Sequence, residues 1–108
     1  MATSPTSATP ATMDDRATSV LVRFAPASVT AEQYDETIRR LENSGDWLPE
    51  GLESHVAFET GGKIRVSEIW DSQAQFDAFG KRLMPILDEV GIDPGAPEML
   101  EIHNIIRR

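Results

Sequence analysis

Two strand-like runs, ESHVAFET (residues 53–60) and KIRVSEIW (residues 63–70), are separated by Gly61 and Gly62 alone. A glycine pair adopts the positive φ angles of a two-residue turn without strain, so the runs are tied together as an antiparallel hairpin. If Thr60 pairs with Lys63, every other pair follows: Glu59 with Ile64, Ala57 with Val66, His55 with Glu68 and Glu53 with Trp70. One face of this hairpin carries His55, Ala57, Ile64, Val66, Glu68 and Trp70, and the other carries Val56, Phe58, Arg65, Ser67 and Ile69. Opposed residues in such a pair have Cβ atoms about 5 Å apart, close enough for the His55 imidazole to meet the Glu68 carboxylate.

The segments flanking the hairpin are read from periodicity and caps. The β-branched run TSVLVRF (residues 18–24) predicts a first strand ending at Ala25-Pro26. Thr30 with Gln33 matches a capping box, and Tyr34, Ile38 and Leu41 form one apolar stripe, predicting a helix over residues 31–43 that Gly45 closes. Ser72 caps a longer helix whose stripe is Phe76, Phe79, Leu83, Ile86, Leu87 and Val90, ending at Gly91. Pro85 is expected to kink or restart it, because proline cannot donate to the preceding turn. MLEIHNII (residues 99–106) predicts a last strand. Residues 1–17 are mostly Ala, Thr, Ser and Pro and are expected to form a disordered tail, with one domain over residues 18–108.

Strand, helix, strand, strand, helix, strand is an α+β order. Short connections and right-handed crossovers then favour a ferredoxin-like βαββαβ fold, a four-stranded antiparallel sheet in the order 4-1-3-2 with two helices on one face. The other face keeps apolar side chains such as Phe58 and Ile69, too many to leave wet, so a second copy is expected to cover it as a homodimer.

The chain's 18 acidic and 10 basic residues give a formal charge of −8, which argues against nucleic acid as a partner. With no cysteine there is no disulfide, thiolate nucleophile or cysteine metal site. No run approaches the roughly 18 apolar residues of a membrane span, and the N-terminus has no basic and apolar leader pattern, so no membrane association and a cytoplasmic location are expected. Phosphate-cradling and dinucleotide glycine motifs are also absent, and the turn alone explains Gly61-Gly62.

The run GKIRVSEIWDSQAQFDAF (residues 62–79), with a third strand ending in Trp70, a capping Ser72 and buried-stripe Phe76 and Phe79, resembles the dimeric α+β barrel superfamily, in particular its antibiotic biosynthesis monooxygenase-like group. The resemblance implies a homodimer in which two sheets enclose a barrel-like interface. It also implies a cavity between sheet and helices lined by the strand-3 tryptophan, here Trp70. The superfamily includes monooxygenases, haem-degrading enzymes, decarboxylases and cyclases. Its haem-degrading members use an asparagine in the first strand and a histidine on the second helix, and this chain has neither.

His55 and Glu68 are the expected acid–base pair, since a carboxylate orients an imidazole and favours its protonation. Trp70 with Phe24 or Phe79 would wall the pocket. His103 and Asn104 point to opposite faces of the last strand: Asn104 joins the pocket if Leu100, Ile102 and Ile106 face the helices, and His103 joins it if Met99 and Ile105 do. The expectation taken here is Asn104 inward and His103 at the dimer interface, which separates the two histidines and argues against a metal site. Arg23 is expected to pair with Glu101 at that interface. The functional expectation is a cofactor-free monooxygenase or cyclase acting on a small aromatic or polyketide-like molecule. The competing class is a non-catalytic binding or interaction protein, and the two differ in whether the pocket reaches about 300 Å³.

Overall fold

A computed structural model describes residues 19–26 and 28–108, so the expected tail lies outside the described residues. The elements are β1 (Val20–Phe24), α1 (Ala31–Ser44), β2 (Leu52–Thr60), β3 (Lys63–Trp70), α2 (Gln73–Val90) and β4 (Glu98–Glu101). They form one antiparallel sheet in the order β2-β3-β1-β4, the arrangement expected from the sequence. Both helix starts are built as the caps predict. Thr30 and Gln33 exchange both bonds of a capping box, and the Ser72 side chain accepts from the Gln75 backbone N–H. The start of α1 is stitched to the end of α2 by Gln33, whose Nε2 donates to the Val90 and Gly91 carbonyls at 3.4 and 3.3 Å.

Alternation along β1 and β3 sends Val22 and Trp70 inward to meet Leu41 of α1, Phe79 of α2 and Leu52 of β2. The opposite face leaves Val56 and Phe58 52% and 45% exposed. The hairpin register holds from Thr60↔Lys63 to His55↔Glu68. Beyond it the expected Glu53–Trp70 pair is replaced by Leu52 opposite Trp70, through a register shift between Leu52 and Ser54. The physical reason is the identity of the two residues. One extra residue turns the apolar Leu52, 7% exposed, into the core and keeps acidic Glu53 outside, where it meets Arg107.

Three further expectations are corrected. α2 continues through Pro85 as one helix and does not restart there. Proline leaves the Lys81 carbonyl without its helical donor, and both residues are exposed, so water can take the vacated position. The last strand ends at Glu101 instead of Ile106, where pairing with β1 stops at Val20↔Glu101. Finally, that register sets Arg23 opposite Glu98, and the exposed ion pair at 3.7 Å forms there and not with Glu101.

Gly51 is the glycine that the packing cannot spare. Its φ is +92°, and a Cβ there would lie 2.5 to 2.8 Å from three Gln75 side-chain atoms, while its carbonyl accepts from Asp71 N–H at 2.8 Å. Gly51→Ala is expected to destabilise the fold by about 1–3 kcal/mol in denaturant unfolding, because it combines left-handed backbone strain with displacement of Gln75.

Candidate functional site

The site is assembled from the inward face of the hairpin. Residues 64, 66, 68 and 70 share that face, so Glu68 is carried under the helices with Trp70 beside it, the two being 4% and 0% exposed. A carboxylate so placed must have donors to offset the loss of water. It has two. The Trp70 indole N–H donates to Oε1 at 2.9 Å, and His55 Nδ1 lies 2.6 Å from Oε2. An ionised carboxylate only accepts, which assigns the proton between them to Nδ1 and leaves Nε2 of a neutral ring as an acceptor. Tyr34, in the first turn of α1, meets that nitrogen: its hydroxyl is 2.6 Å from Nε2. A continuous polar chain therefore runs Tyr34–His55–Glu68–Trp70.

The imidazole is also clamped by rings. The Tyr34 ring lies near-parallel to it and end to end, with centroids 5.9 Å apart and planes at 23°, and Trp47 meets it edge-on at 5.0 Å and 88°. Trp47 comes from the α1–β2 loop, which Asp46 ties to α2 through Arg82 at 2.9 Å. Tyr34 has its phenol pKa raised above the ordinary 10.0, first by burial and then by the negative charges of Glu68 and Asp35.

Beside this chain lies a half-open cavity of about 90 Å³. Phe24 and Val66 form its sheet wall, Ile38 and Leu41 its α1 wall, and Phe79 and Leu83 its α2 wall, with Tyr34, His55 and Glu68 as polar contributors. Phe24 and Phe79 both line it. Trp70 does not line the cavity; it is sandwiched behind Glu68 between Phe76 and Phe79, with ring centroids 5.5 and 5.6 Å away. Asn104 is also corrected. Met99 packs against the core, the alternative that would have turned His103 inward, but the strand ends before either residue and both are exposed. Among the described residues no group of three or more His, Cys, Asp or Glu side chains could hold a metal ion. Within them, too, no helix is long and apolar enough to cross a membrane.

Tyr34 and Trp47 are the members that sequence reasoning missed. By its period Tyr34 belongs to the apolar stripe with Ile38 and Leu41, and it is the one residue of that stripe carrying a hydroxyl. Trp47 sits in a loop, where no periodicity reports direction.

With the geometry in view, solved structures share this fold. A Nitrosomonas europaea protein of unknown function aligns over 83% of this chain and 92% of its own, at 12% identity and TM-score 0.54. A Caulobacter crescentus protein provisionally named an antibiotic biosynthesis monooxygenase aligns over 82% and 89%, at 14% identity and TM-score 0.52. A Shewanella loihica protein provisionally named a monooxygenase aligns over 84% and 97%, at 21% identity and TM-score 0.51. These likenesses show a shared βαββαβ fold. No protein-family model and no curated protein matches the chain.

Two outcomes test this geometry. Tyr34 is the chain's single tyrosine, so an ultraviolet titration reads it alone. Its ionisation is expected above 10.0 in the folded protein and to move down in Glu68→Gln. The sign follows: the neutral phenol is favoured by folding, so its contribution to stability is complete below about pH 10 and is lost as pH rises through the folded value. A folded-state value at or below 10 contradicts the burial shown here. Separately, Glu68→Ala strands the Trp70 and His55 N–H groups in the interior, and unfolding in denaturant should show a loss of about 2–4 kcal/mol.

Proposed function

We propose that this protein is a homodimeric, cofactor-independent enzyme of the monooxygenase or cyclase type, using His55 and Glu68 as an acid–base pair on a small aromatic or polyketide-like molecule. The observation that carries this reading is the 2.6 Å contact between His55 Nδ1 and a Glu68 carboxylate that is almost wholly buried at an apolar cavity. Such a pair holds the imidazole in one tautomer and stabilises the imidazolium formed when it takes a proton. Removing a proton from a phenol, an enol or a carbon beside a carbonyl leaves an electron-rich anion, from which both cofactor-free oxygenation and ring closure start. Phe24 and Phe79 serve as the apolar walls, and Trp70 orients Glu68 from behind.

The cavity volume favours a second reading alongside the first. About 90 Å³ is less than the roughly 150 Å³ in which an engineered apolar cavity holds benzene, and far below the 300 Å³ sought for a bicyclic ligand. A ligand must therefore be smaller than a benzene ring, or must enlarge the cavity through its open side. If it does neither, the protein is a non-catalytic small-ligand-binding or dimeric interaction protein.

The experiment is a screen of aromatic and polyketide-like substrates for oxygen uptake or ring closure, repeated with His55→Ala. The enzyme reading expects turnover that falls by roughly 100-fold or more in the variant while the fold persists. Turnover unaffected by His55→Ala rejects the acid–base pair, and no turnover with any of them favours the binding reading. The dimer is supported by the exposed Val56 and Phe58 on the sheet face away from the helices. Light scattering at micromolar concentration should give the mass of two chains, reduced towards one in Phe58→Asp; a monomeric mass for the native chain refutes the interface.

A further inference from the structure

His55 is the obvious base, yet neither of its ring nitrogens is open to a ligand. Nδ1 is held by Glu68 and Nε2 by the Tyr34 hydroxyl, both at 2.6 Å, and the ring lies between Tyr34 and Trp47. The Tyr34 oxygen, in contrast, belongs to a half-buried side chain that lines the cavity. A hydroxyl has one proton to donate and two lone pairs to offer. With the proton committed to Nε2, the lone pairs are what remains for a ligand. The cavity thus presents a hydrogen-bond acceptor within a mostly apolar lining, backed by an imidazole and a carboxylate.

We propose that Tyr34 is the residue that meets the ligand, accepting a hydrogen bond from the hydroxyl of a small phenol or enol and relaying that proton to His55. This rests on the acid–base reading given above and assigns it a different contact atom and a narrower substrate class. As the ligand O–H bond breaks, the proton joins the Tyr34 oxygen. The original phenolic proton of Tyr34 moves to His55 Nε2 in the same transfer. The electron pair of the broken bond stays on the ligand as phenolate or enolate, and the new imidazolium is paired with Glu68. No other reactant is consumed. His55 and Glu68 act through Tyr34 as positioning residues, and Trp70 fixes the carboxylate that anchors them. Of the acidic groups near Tyr34, Glu68 favours the imidazolium through its direct contact, and Asp35 adds a weaker negative field.

The test uses a difluorophenol with its fluorines flanking the hydroxyl, and the methyl ether of the same compound. Fluorine is nearly the size of hydrogen, and the fluorine NMR signal reports both binding and ionisation. The phenol is expected to bind the native protein and to be more ionised when bound than when free at the same pH. In Tyr34→Phe its affinity should fall about tenfold and the excess ionisation should vanish, as loss of one hydrogen bond to an ionising group implies. The ether, with no proton to give, should bind native protein and variant within twofold, which also shows that the variant keeps its fold and cavity. If the phenol binds and ionises equally well in Tyr34→Phe but not in His55→Gln, then His55 acts directly: the relay is overturned and the acid–base reading stands. If neither compound binds the native protein, the relay and that reading fall together.

Discussion

The buried carboxylate of Glu68 is the interaction on which the rest of the site depends. At 4% exposure it cannot rely on solvent, and each of its oxygens has a protein donor. Satisfying it dictates where Trp70 points, which tautomer His55 adopts and hence which atom of His55 is left for Tyr34. Three residues from three elements are ordered by one acidic group placed on the inward face of β3. That arrangement is costly for stability alone, since an apolar residue of similar size would fill the same space without a charge to compensate. The cost makes sense if the ordered imidazole is used.

The sheet and helices provide a rigid frame for this chain of hydrogen bonds. Trp70 fills the centre, its ring packed on Phe76 and Phe79, so packing and the hydrogen bond to Glu68 hold the indole N–H in one position. The bulge at Glu53 lets Leu52 complete the core beneath it while His55 keeps its place opposite Glu68. On the other side, the capping box at Thr30 starts α1 at the point that brings Tyr34 over β2. A shift of one residue in either the hairpin register or the start of this helix would separate the pairs.

Much of this was legible in the sequence because it rests on short-range rules. Gly61-Gly62 determines the turn, the turn determines the register, and the register determines that His55 faces Glu68. Thr30 and Ser72 mark the helix starts, and the connection lengths leave one simple topology. What escaped depends on contacts between distant segments. The bulge turns on a competition between Leu52 and Glu53 for the core, decided by packing and not by alternation. The end of β4 is set by where β1 ceases to offer partners at Val20, so Asn104 could not be placed from its own strand's pattern. Trp70 was expected as a cavity wall because of the resemblance, and its own hydrogen bond to Glu68 holds it one layer deeper. Tyr34 and Trp47 reach His55 across 21 and 8 positions of sequence and from different elements, so no repeat within a single helix or strand relates them.

The central claim is that a buried Glu68 fixes His55 in one tautomer, with the proton on Nδ1 and Nε2 turned to Tyr34. Nitrogen-15 NMR of the imidazoles tests it directly, and only two histidines need to be told apart, with His103→Gln completing the assignment. At a pH where the rings are neutral, the account predicts a protonated Nδ1 and a bare Nε2 for His55, an assignment lost in Glu68→Ala. A His55 ring carrying its proton on Nε2, or averaging between tautomers, would contradict it.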